Sequence, residues 1–241
     1  MDKLINKKIK VDAVIADIPY GTTKCKWDNI IPFDKMWELL YKIKVGKNTP
    51  ILLFGNEPFS SYLRISNIKD YKYDWYWKKS KVSNFANAKK MPMKDIELIH
   101  VFYEKLPTYN PQGLKKVNII KNNSNKTIKH SSISALNGGA FKTKKYVQKY
   151  TNYPKQLLEF NSESKPKHPT QKPVKLMGYL INTYTNKNDI VLDFTCGSGT
   201  TLIASRNLDR KAIGIELEEK YCEIAKNRIK QYLEQTSSPV S

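Results

Sequence analysis

Short apolar runs and one amphipathic stretch alternate along the first hundred residues. Apolar runs at residues 11–16 and 50–54 predict two buried strands. Between them, residues 32–43 carry apolar side chains at helical spacing. The apolar face of this predicted helix consists of Phe33, Trp37, Leu40 and Tyr41. Residues 73–77 and 96–103 read as two further strands. This order of elements is typical of an α/β fold.

The last third of the chain returns to the same alternation. Residues 170–184 predict a helix in which Thr170 is the N-cap and Pro173 lies near the first turn. Further patterns predict strands at 190–194 and 211–216 and helices at 200–207 and 218–233. We therefore predict one doubly wound α/β domain with a mostly parallel sheet.

The middle of the chain is different because it is strongly basic. From Lys105 to Lys172 there are fourteen lysines, no arginine and two acids, a local excess of twelve positive charges. Interleaved aromatic residues accompany the lysines, and no regular element is predicted across residues 122–150. We expect a long insert of this kind to be functional or partly disordered rather than part of the core.

The charge of the whole chain indicates a polyanionic partner. The formal net charge is +20 and the isoelectric point is about 9.7. Lysines that neutralise phosphates release condensed counterions, which favours nucleic acid as the partner. A genome that encodes Lys and Asn freely would give a similar composition, but the clustering of charge in the insert favours function.

Several classes of protein are disfavoured by what the sequence lacks. No apolar run is long enough to span a bilayer, and the N-terminus has no signal-peptide pattern. The three cysteines (Cys25, Cys196 and Cys222) and the three histidines show no ligand spacing. We expect a cytoplasmic protein without a metal site and without a membrane segment.

The first candidate motif follows the first predicted strand and consists of Asp17, Ile18, Pro19 and Tyr20, then Gly21. Carboxyl ends of parallel strands face the crevice where α/β proteins bind ligands. The Asp17 carboxylate and the Ile18 carbonyl can accept the two N–H bonds of an exocyclic aromatic amine, which directs the nitrogen lone pair at a methyl donor. Tyr20 can stack on a flipped-out base. A simple turn after a strand is the alternative interpretation.

The second motif lies between a predicted strand and helix. Its glycines allow close approach of a ligand to the backbone, and Glu216 at the end of the next strand can bind ribose hydroxyls. A dinucleotide and S-adenosylmethionine both fit this pattern, but Leu202 stands where the dinucleotide fingerprint has its third glycine. The candidate cofactor residues here are Asp193, Phe194, Thr195, Gly197, Ser198, Gly199, Thr200 and Glu216.

The third motif is the string His-Pro-Thr-Gln-Lys-Pro at residues 168–173. A capped helix start explains its threonine and second proline without a function, but it does not explain the whole string.

Together these strings, in this order, resemble the β class of S-adenosylmethionine-dependent DNA amino-methyltransferases. The family's Asp-Pro-Pro-Tyr corresponds to residues 17–20 and its cofactor motif to residues 193–201, while its His-Pro-Thr-Gln-Lys-Pro is intact. Strings at residues 20–23, 54–59 and 151–154 resemble small members, often phage- or prophage-borne. The resemblance implies a Rossmann-like methyltransferase sheet in permuted order. It also places Thr170, Lys172 and Pro173 at the cofactor.

The resemblance further implies how the domain is divided and what it binds. Residues 1–104 would form the catalytic half, residues 105–167 the target-recognition insert and residues 168–241 the cofactor-binding half. The implied cofactor is S-adenosylmethionine and the implied partner is double-stranded DNA. A homodimer and a bacterial or phage-encoded origin are expected by the same resemblance.

Adenine N6 methylation and three alternatives to it stay open at this point. Adenine N6 is favoured as the target over cytosine N4, because family members that act on cytosine more often have Ser where Asp17 stands. A degenerate, non-catalytic DNA-binding subunit is a second alternative, and a dinucleotide oxidoreductase is a third. Departures from the family pattern include Ile18 in place of the first proline and Thr195 in place of a phenylalanine. A further departure is Asp95 before Ile96-Glu97, where members often show His-Glu.

Overall fold

A computed structural model describes residues 1–22, 28–121, 146–164, 166 and 170–237 of the chain. The chain forms two compact units. The larger unit comprises Met1–Asn110 and Lys155–Ser241, and the smaller comprises Pro111–Pro154.

The described elements agree in order with the α/β pattern of the sequence. The strands are β1 (Ala13–Ala16), β2 (Ile51–Gly55), β3 (Tyr71–Ser83), β4 (Lys94–Phe102), β5 (Lys115–Lys121), β6 (Tyr146–Thr151), β7 (Leu157–Phe160), β8 (Ile190–Asp193) and β9 (Lys211–Gly214). The α-helices are α1 (Asp2–Asn6), α2 (Phe33–Ile43), α3 (Phe59–Ser66), α4 (Val174–Tyr184), α5 (Thr200–Arg206) and α6 (Glu219–Ser237).

Seven strands form the central sheet of the larger unit in the order β7-β3-β4-β2-β1-β8-β9. Strand β1 is parallel to both of its neighbours, β2 and β8, and β8 is parallel to β9. Strand β4 runs antiparallel to β2 and β3, while β3 and β7 are parallel. The expected Rossmann-like, mostly parallel sheet is confirmed.

Helices cover both faces of this sheet, because successive side chains of its buried strands point to opposite sides. Val14 and Ala16 of β1 belong to a core cluster that includes residues of α2 and α3. Ile15, between them, belongs to a second cluster with residues of α4 and α5. The doubly wound arrangement follows from this alternation.

Helix α2 shows how far the apolar pattern determines burial. Its buried residues are Met36, Trp37, Leu40 and Ile43. Tyr41, predicted on the apolar face, is partly exposed and donates its hydroxyl to Asp70. The buried stripe is therefore rotated slightly from the predicted one.

Helix α4 begins later than the sequence pattern predicts. Its first residue is Val174 and its N-cap is Pro173 with an extended backbone (φ −65°, ψ 136°), so the prediction of Thr170 as N-cap was wrong. A proline disfavours helical backbone at the residue before it, which keeps Lys172 outside the helix. The amide of Val174 instead donates to the carboxylate of Glu163 at 3.3 Å. Residues 170–172 therefore lie before the helix, where they can reach the edge of the sheet.

The smaller unit contains a two-stranded antiparallel sheet of β5 and β6. The Asn152 side-chain amide donates to the Gly113 carbonyl at 2.6 Å and fastens the two ends of the unit. The expected insert at residues 105–167 is wider than this unit, because β7 pairs with β3 in the central sheet. Most of the stretch for which no element was predicted, residues 122–145, lies outside the described residues.

Candidate active site

Two neighbouring parallel strands, β1 and β8, end at the same edge of the sheet. The chain leaves β1 toward α2 on one face and leaves β8 toward α5 on the other. Such a point, where the connections diverge, is where open α/β sheets bind ligands. A cavity of about 420 Å³ opens there. Its walls include Asp17, Ile18, Pro19, Tyr20, Asn29, Ile31, Thr170, Gln171, Lys172, Asp193, Phe194, Thr195, Gly197, Ser198, Thr200, Ile215, Glu216, Leu217 and Tyr221.

Asp17 follows β1 directly, and its carboxylate has two side-chain donors. The Lys172 ammonium lies 2.6 Å from one oxygen, and the Tyr20 hydroxyl donates to the other at 2.6 Å. The Asp17 side chain is still 19% exposed. Since a carboxylate offers about four acceptor positions, the carboxylate keeps capacity to accept further N–H groups from the cavity.

Glu97 of β4 joins Asp17 into a compact cluster of charges. Its carboxylate lies 2.7 Å from the Lys172 ammonium and 3.8 Å from the Lys79 ammonium. Two carboxylates and two ammonium groups make this cluster formally neutral. Burial alone would lower the pKa of Lys172, but the carboxylates of Asp17 and Glu97 raise it above its usual value. Lys172 is therefore a fixed cation at the side of Asp17.

Tyr20 is held between the two carboxylates of the cluster. Its hydroxyl lies 3.2 Å from Glu97 as well as 2.6 Å from Asp17, and its ring packs on Phe59 with centroids 5.2 Å apart. Burial and the charges of Asp17 and Glu97 raise the pKa of Tyr20 well above 10. The phenol therefore stays protonated and acts as a hydrogen-bond donor.

The loop that carries Tyr20 is fixed by a single buried carboxylate. One oxygen of Asp28 accepts the amides of Tyr20 and Gly21 at 2.8 and 2.9 Å, and the other accepts that of Thr22 at 2.9 Å. Gly21 has φ +68°, and a Cβ there would lie 2.9 Å from Ile30. These contacts fix the backbone that follows the catalytic candidate.

Residues of the glycine turn between β8 and α5 also line the cavity. Gly199 adopts φ +79°, and a Cβ on it would lie 3.0 Å from the Cβ of Ala225 in α6. The Arg228 guanidinium of α6 donates to the Ser198 hydroxyl at 2.8 Å and also to the Ser198 carbonyl. Contacts with α6 therefore fix the conformation of the turn.

Glu216 lies two residues beyond β9 and is held by three backbone amides. One carboxylate oxygen accepts the amide of Gly197 at 2.8 Å, and the other accepts those of Leu217 and Glu218 at 2.9 Å. Since a carboxylate offers about four acceptor positions, about one remains, on the oxygen that binds Gly197, and it can accept a hydroxyl group of a ligand.

Asp193 ends β8 and is more deeply buried than Asp17. Its carboxylate accepts the amide of Thr195 at 3.2 Å and the hydroxyl of Thr201. Burial raises the pKa of Asp193 to about 7, despite these two hydrogen bonds. Thr195 also links the two strand ends, because its hydroxyl donates to the Asp17 carbonyl at 3.0 Å.

The third motif contacts both the glycine turn and Asp17. Gln171 accepts a hydrogen bond from the Ser198 hydroxyl at 3.2 Å, while the next residue, Lys172, reaches Asp17. This explains why residues 170–172 leave the helix. His168 and Pro169 lie outside the described residues.

The structure brings nearly all predicted site residues to one cavity. The exceptions are Pro173, which is the buried N-cap of α4, and Gly199, which faces α6. Lys172, predicted at the cofactor, has its ammonium on the Asp17 carboxylate. Sequence reasoning missed Glu97, Asp28, Lys79 and Phe59 as members of the site. A signal existed for Glu97, since residues 95–97 stand where the resembling family often has His-Glu.

A membrane-spanning helix and a metal-binding group are both absent from the described part of the chain. No helix within it is both long and apolar enough to cross a membrane. Within the same residues, no group of three or more His, Cys, Asp or Glu side chains is placed to hold a metal ion.

Comparison with solved structures places the whole chain beside methyltransferases. The chain is 29% identical to M1.HpyAVI in complex with SAM, with a TM-score of 0.60, over 94% of this chain and 93% of that one. It shares a fold with the cytosine-N4-specific PvuII DNA methyltransferase, with a TM-score of 0.62 at 15% identity, over 95% of this chain and 86% of that one.

Sequence relatives match over shorter segments. The type II methyltransferase M2.MboI of Moraxella bovis is 52% identical over 62 residues, which is 26% of this chain and 23% of the relative. M.HindIII of Haemophilus influenzae is 44% identical over 72 residues, which is 30% of this chain and 23% of the relative. These matches span about a quarter of the relatives' length.

The family assignment rests on a longer match. The family model described as DNA methylase (N6_N4_Mtase) matches residues 11–227, which include both strand ends, the glycine turn and the string that links them. The chain therefore belongs to the DNA methylase family.

Proposed function

We propose that this chain is a DNA methyltransferase that transfers a methyl group from S-adenosylmethionine to the exocyclic N6 of an adenine flipped out of double-stranded DNA. The observation that carries the proposal is the Asp17 carboxylate, which Lys172 and Tyr20 fix at the wall of a cavity that residues of the glycine turn also line. The family membership and the cofactor named in the M1.HpyAVI complex support it.

The proposed task of Asp17 is to prepare an amine that is a poor nucleophile. The lone pair of an exocyclic amine is delocalised into its ring. If Asp17 and the Ile18 carbonyl accept its two N–H bonds, the nitrogen moves toward tetrahedral geometry and its lone pair points into the cavity. The nitrogen becomes positively charged as it forms its new bond to carbon, and a carboxylate placed beforehand stabilises that charge.

Lys172 and Tyr20 act on Asp17 in this proposal. Together they occupy one acceptor position on each carboxylate oxygen, so the carboxylate cannot rotate freely. The remaining lone pairs of Asp17 then have a fixed direction toward the amine. After the transfer, the proton leaves the cationic amine for the Asp17 carboxylate and from there passes to solvent at the open side of the cavity.

The cavity also suits S-adenosylmethionine, which when bound would supply the methyl group by loss of its sulfur–methyl bond and would leave as S-adenosylhomocysteine. Its volume of about 420 Å³ is within the range of small-molecule sites. The Glu216 carboxylate, anchored by three amides, keeps an acceptor position for a ribose hydroxyl. The apolar walls at Ile215, Leu217 and Tyr221 suit an adenine ring. Ser198 and Thr170 also line the cavity and are polar neighbours for the methionyl end.

The basic insert is proposed to serve recognition of the target. The part of it that the structure describes includes strands β5 and β6, which carry the exposed lysines Lys115, Lys116, Lys121 and Lys149. A two-stranded ribbon can enter a DNA groove, and lysines on it can contact phosphates. The homodimer expected from the family resemblance stays a prediction.

The experiment that tests this function is mass spectrometry of nucleosides. Purified protein is incubated with S-adenosylmethionine and unmethylated genomic DNA, beside Asp17→Ala, and the DNA is digested. We expect N6-methyladenine from the wild type and none from the variant. N4-methylcytosine would keep the mechanism and change the base, because both amines present two N–H bonds and one lone pair. No modified base, with S-adenosylhomocysteine still bound, would favour a non-catalytic subunit.

A further inference from the structure

A second basic surface lies at the hairpin of β3 and β4, in the larger unit. We define the basic hairpin tip as residues 78–94, which contain six lysines and no acid. Lys78, Lys89 and Lys90 are exposed and form no ion pair with any described residue. By contrast, the ammonium groups of Lys81 and Lys94 donate to backbone carbonyls at 3.2 and 3.5 Å. The tip therefore presents uncompensated positive charge.

An aromatic ring projects from the same tip. Phe85 is 78% exposed. It begins a short 3-10 turn, and Asn84 before it adopts a left-handed backbone with φ 68°. The Asn87 side chain donates to the Asn84 side chain at 2.7 Å and closes the turn. Phe85 is thus presented by an ordered turn.

The tip begins close to the charge cluster of the candidate active site. Lys94 and Glu97 lie on β4, and Glu97 contacts Lys172 and Tyr20. Three residues of a strand span roughly 10 Å. Each DNA strand carries a phosphate about every 3.4 Å along the helix axis. A duplex that delivers one base to Asp17 therefore brings several phosphates within reach of the tip.

Exposed lysines around an exposed aromatic ring match the chemistry of DNA. Ammonium groups neutralise phosphates, and an aromatic ring stacks on any base whose face is uncovered. Flipping one nucleotide uncovers the faces of its neighbours. An acidic protein surface would use the lysines but would leave the ring without a specific contact.

We infer that the basic hairpin tip is a DNA-contact surface, in which Lys78, Lys89 and Lys90 bind backbone phosphates and Phe85 stacks on a base beside the flipped nucleotide. The inference rests on the proposed function and adds a second contact to the one expected from the insert. It assigns a role to three exposed lysines that pair with no described acid.

The lysines are tested by the salt dependence of DNA binding. The probe is a labelled 30-base-pair duplex of mixed sequence with S-adenosylhomocysteine present, followed by fluorescence anisotropy. Each lost phosphate contact reduces the slope of log affinity against log salt by about 0.9, so Lys89→Gln with Lys90→Gln reduces it by roughly 1.8. The matched control is Lys7→Gln with Lys8→Gln. This exposed pair precedes the amino end of β1, whereas Asp17 follows its carboxyl end. The control slope should equal that of the wild type.

Phe85 is tested by turnover of unmethylated genomic DNA. We expect Phe85→Ala to lower kcat/KM about tenfold, because base–aromatic stacking is lost. Phe85→Trp, which keeps an aromatic face, should restore kcat/KM to within about twofold of the wild type. Affinity for S-adenosylhomocysteine should be unchanged in both variants, because residue 85 does not line the cavity.

Failure of this inference is distinguishable from failure of the proposed function. A wild type that binds and methylates DNA, with hairpin variants that keep its salt slope and its kcat/KM, would overturn the hairpin assignment alone. A wild type that binds the duplex without salt dependence and modifies no base would overturn both.

Discussion

Asp17 and Asp193 end neighbouring parallel strands and line the same cavity, yet their surroundings differ. Asp17 is 19% exposed and paired with the buried ammonium of Lys172. Asp193 is buried and, among the described residues, accepts hydrogen bonds only from Thr195 and Thr201, both within eight residues of it. The end of a strand therefore places a carboxylate at the crevice. Whether that carboxylate is a fixed anion for a ligand depends on partners that are distant in the sequence.

The largest contrast should come from replacing each aspartate with asparagine. Asp17→Asn keeps the shape but removes the charge that faces the amine, so we expect kcat to fall by about 10²–10³-fold. Affinity for S-adenosylhomocysteine should stay within about threefold, as isothermal titration would show. Asp193→Asn should instead change cofactor affinity more than kcat. Equal effects of the two changes on kcat would remove the distinction.

The ion pair that distinguishes Asp17 from Asp193 can be removed directly. Lys172→Met leaves the carboxylates of Asp17 and Glu97 without their shared cation, so we expect the free energy of unfolding to fall by about 3 kcal/mol. Adding Glu97→Gln should recover part of this loss, because one unpaired buried charge is removed.

Chemical denaturation of the two single variants and the double variant measures this coupling. Losses that simply add would show that Lys172 and Glu97 do not act on each other.

The burial of Asp193 predicts a pH dependence of stability. Its pKa in the folded protein, about 7, is above the unfolded value near 3.9. The neutral carboxyl therefore contributes stability that is fully present below pH 4 and lost as the pH rises through 7. The difference in unfolding free energy between wild type and Asp193→Asn should fall by roughly 1.4 kcal/mol per pH unit across this window.

Measuring both proteins across the window cancels the contributions of all other titrating groups. A difference that does not change with pH would mean that Asp193 is ionised in the fold, as is expected of an aspartate with a cationic partner.

The smallest effects concern the turn beside Asp193. Gly199→Ala puts a Cβ 3.0 Å from Ala225 at φ +79°, so we expect a loss of about 1–2 kcal/mol in unfolding free energy. Gly178→Ala in α4 is the matched control, since its Cβ would have ordinary contact with Leu208 at 3.7 Å. That variant should be more stable by about 0.5–1 kcal/mol. Thermal unfolding separates the two, and equal shifts would contradict the role given to the turn.

Local patterns predicted the buried strands well. Strands β1, β2 and β8 begin or end within two residues of the predicted bounds, because each is a continuous apolar run. Strand β3 was predicted only at residues 73–77, and it continues to Ser83. Its second half is rich in lysine and is held by backbone pairing with β4, which leaves no apolar signal.

The geometry of the site was less accessible from sequence. The motifs identified Asp17, the glycine turn and Glu216, because each follows a predicted strand. The contacts of Lys172 with Asp17 and of Tyr20 with Glu97 join residues 155 and 77 positions apart. No local pattern contains such a contact, so the position of the Lys172 ammonium on Asp17 needed the folded structure.

The position of β1 in the sheet has a consequence for synthesis of the protein. Val14 pairs with Ile51 on one side, but its partner on the other side is Leu192. At about 5–20 residues per second, a ribosome needs roughly 10–35 s to make the intervening chain. Through that interval the β1 edge that later meets β8 is open to incorrect pairing with other strands. The strand that carries the proposed catalytic carboxylate is thus made well before the strand that completes its site.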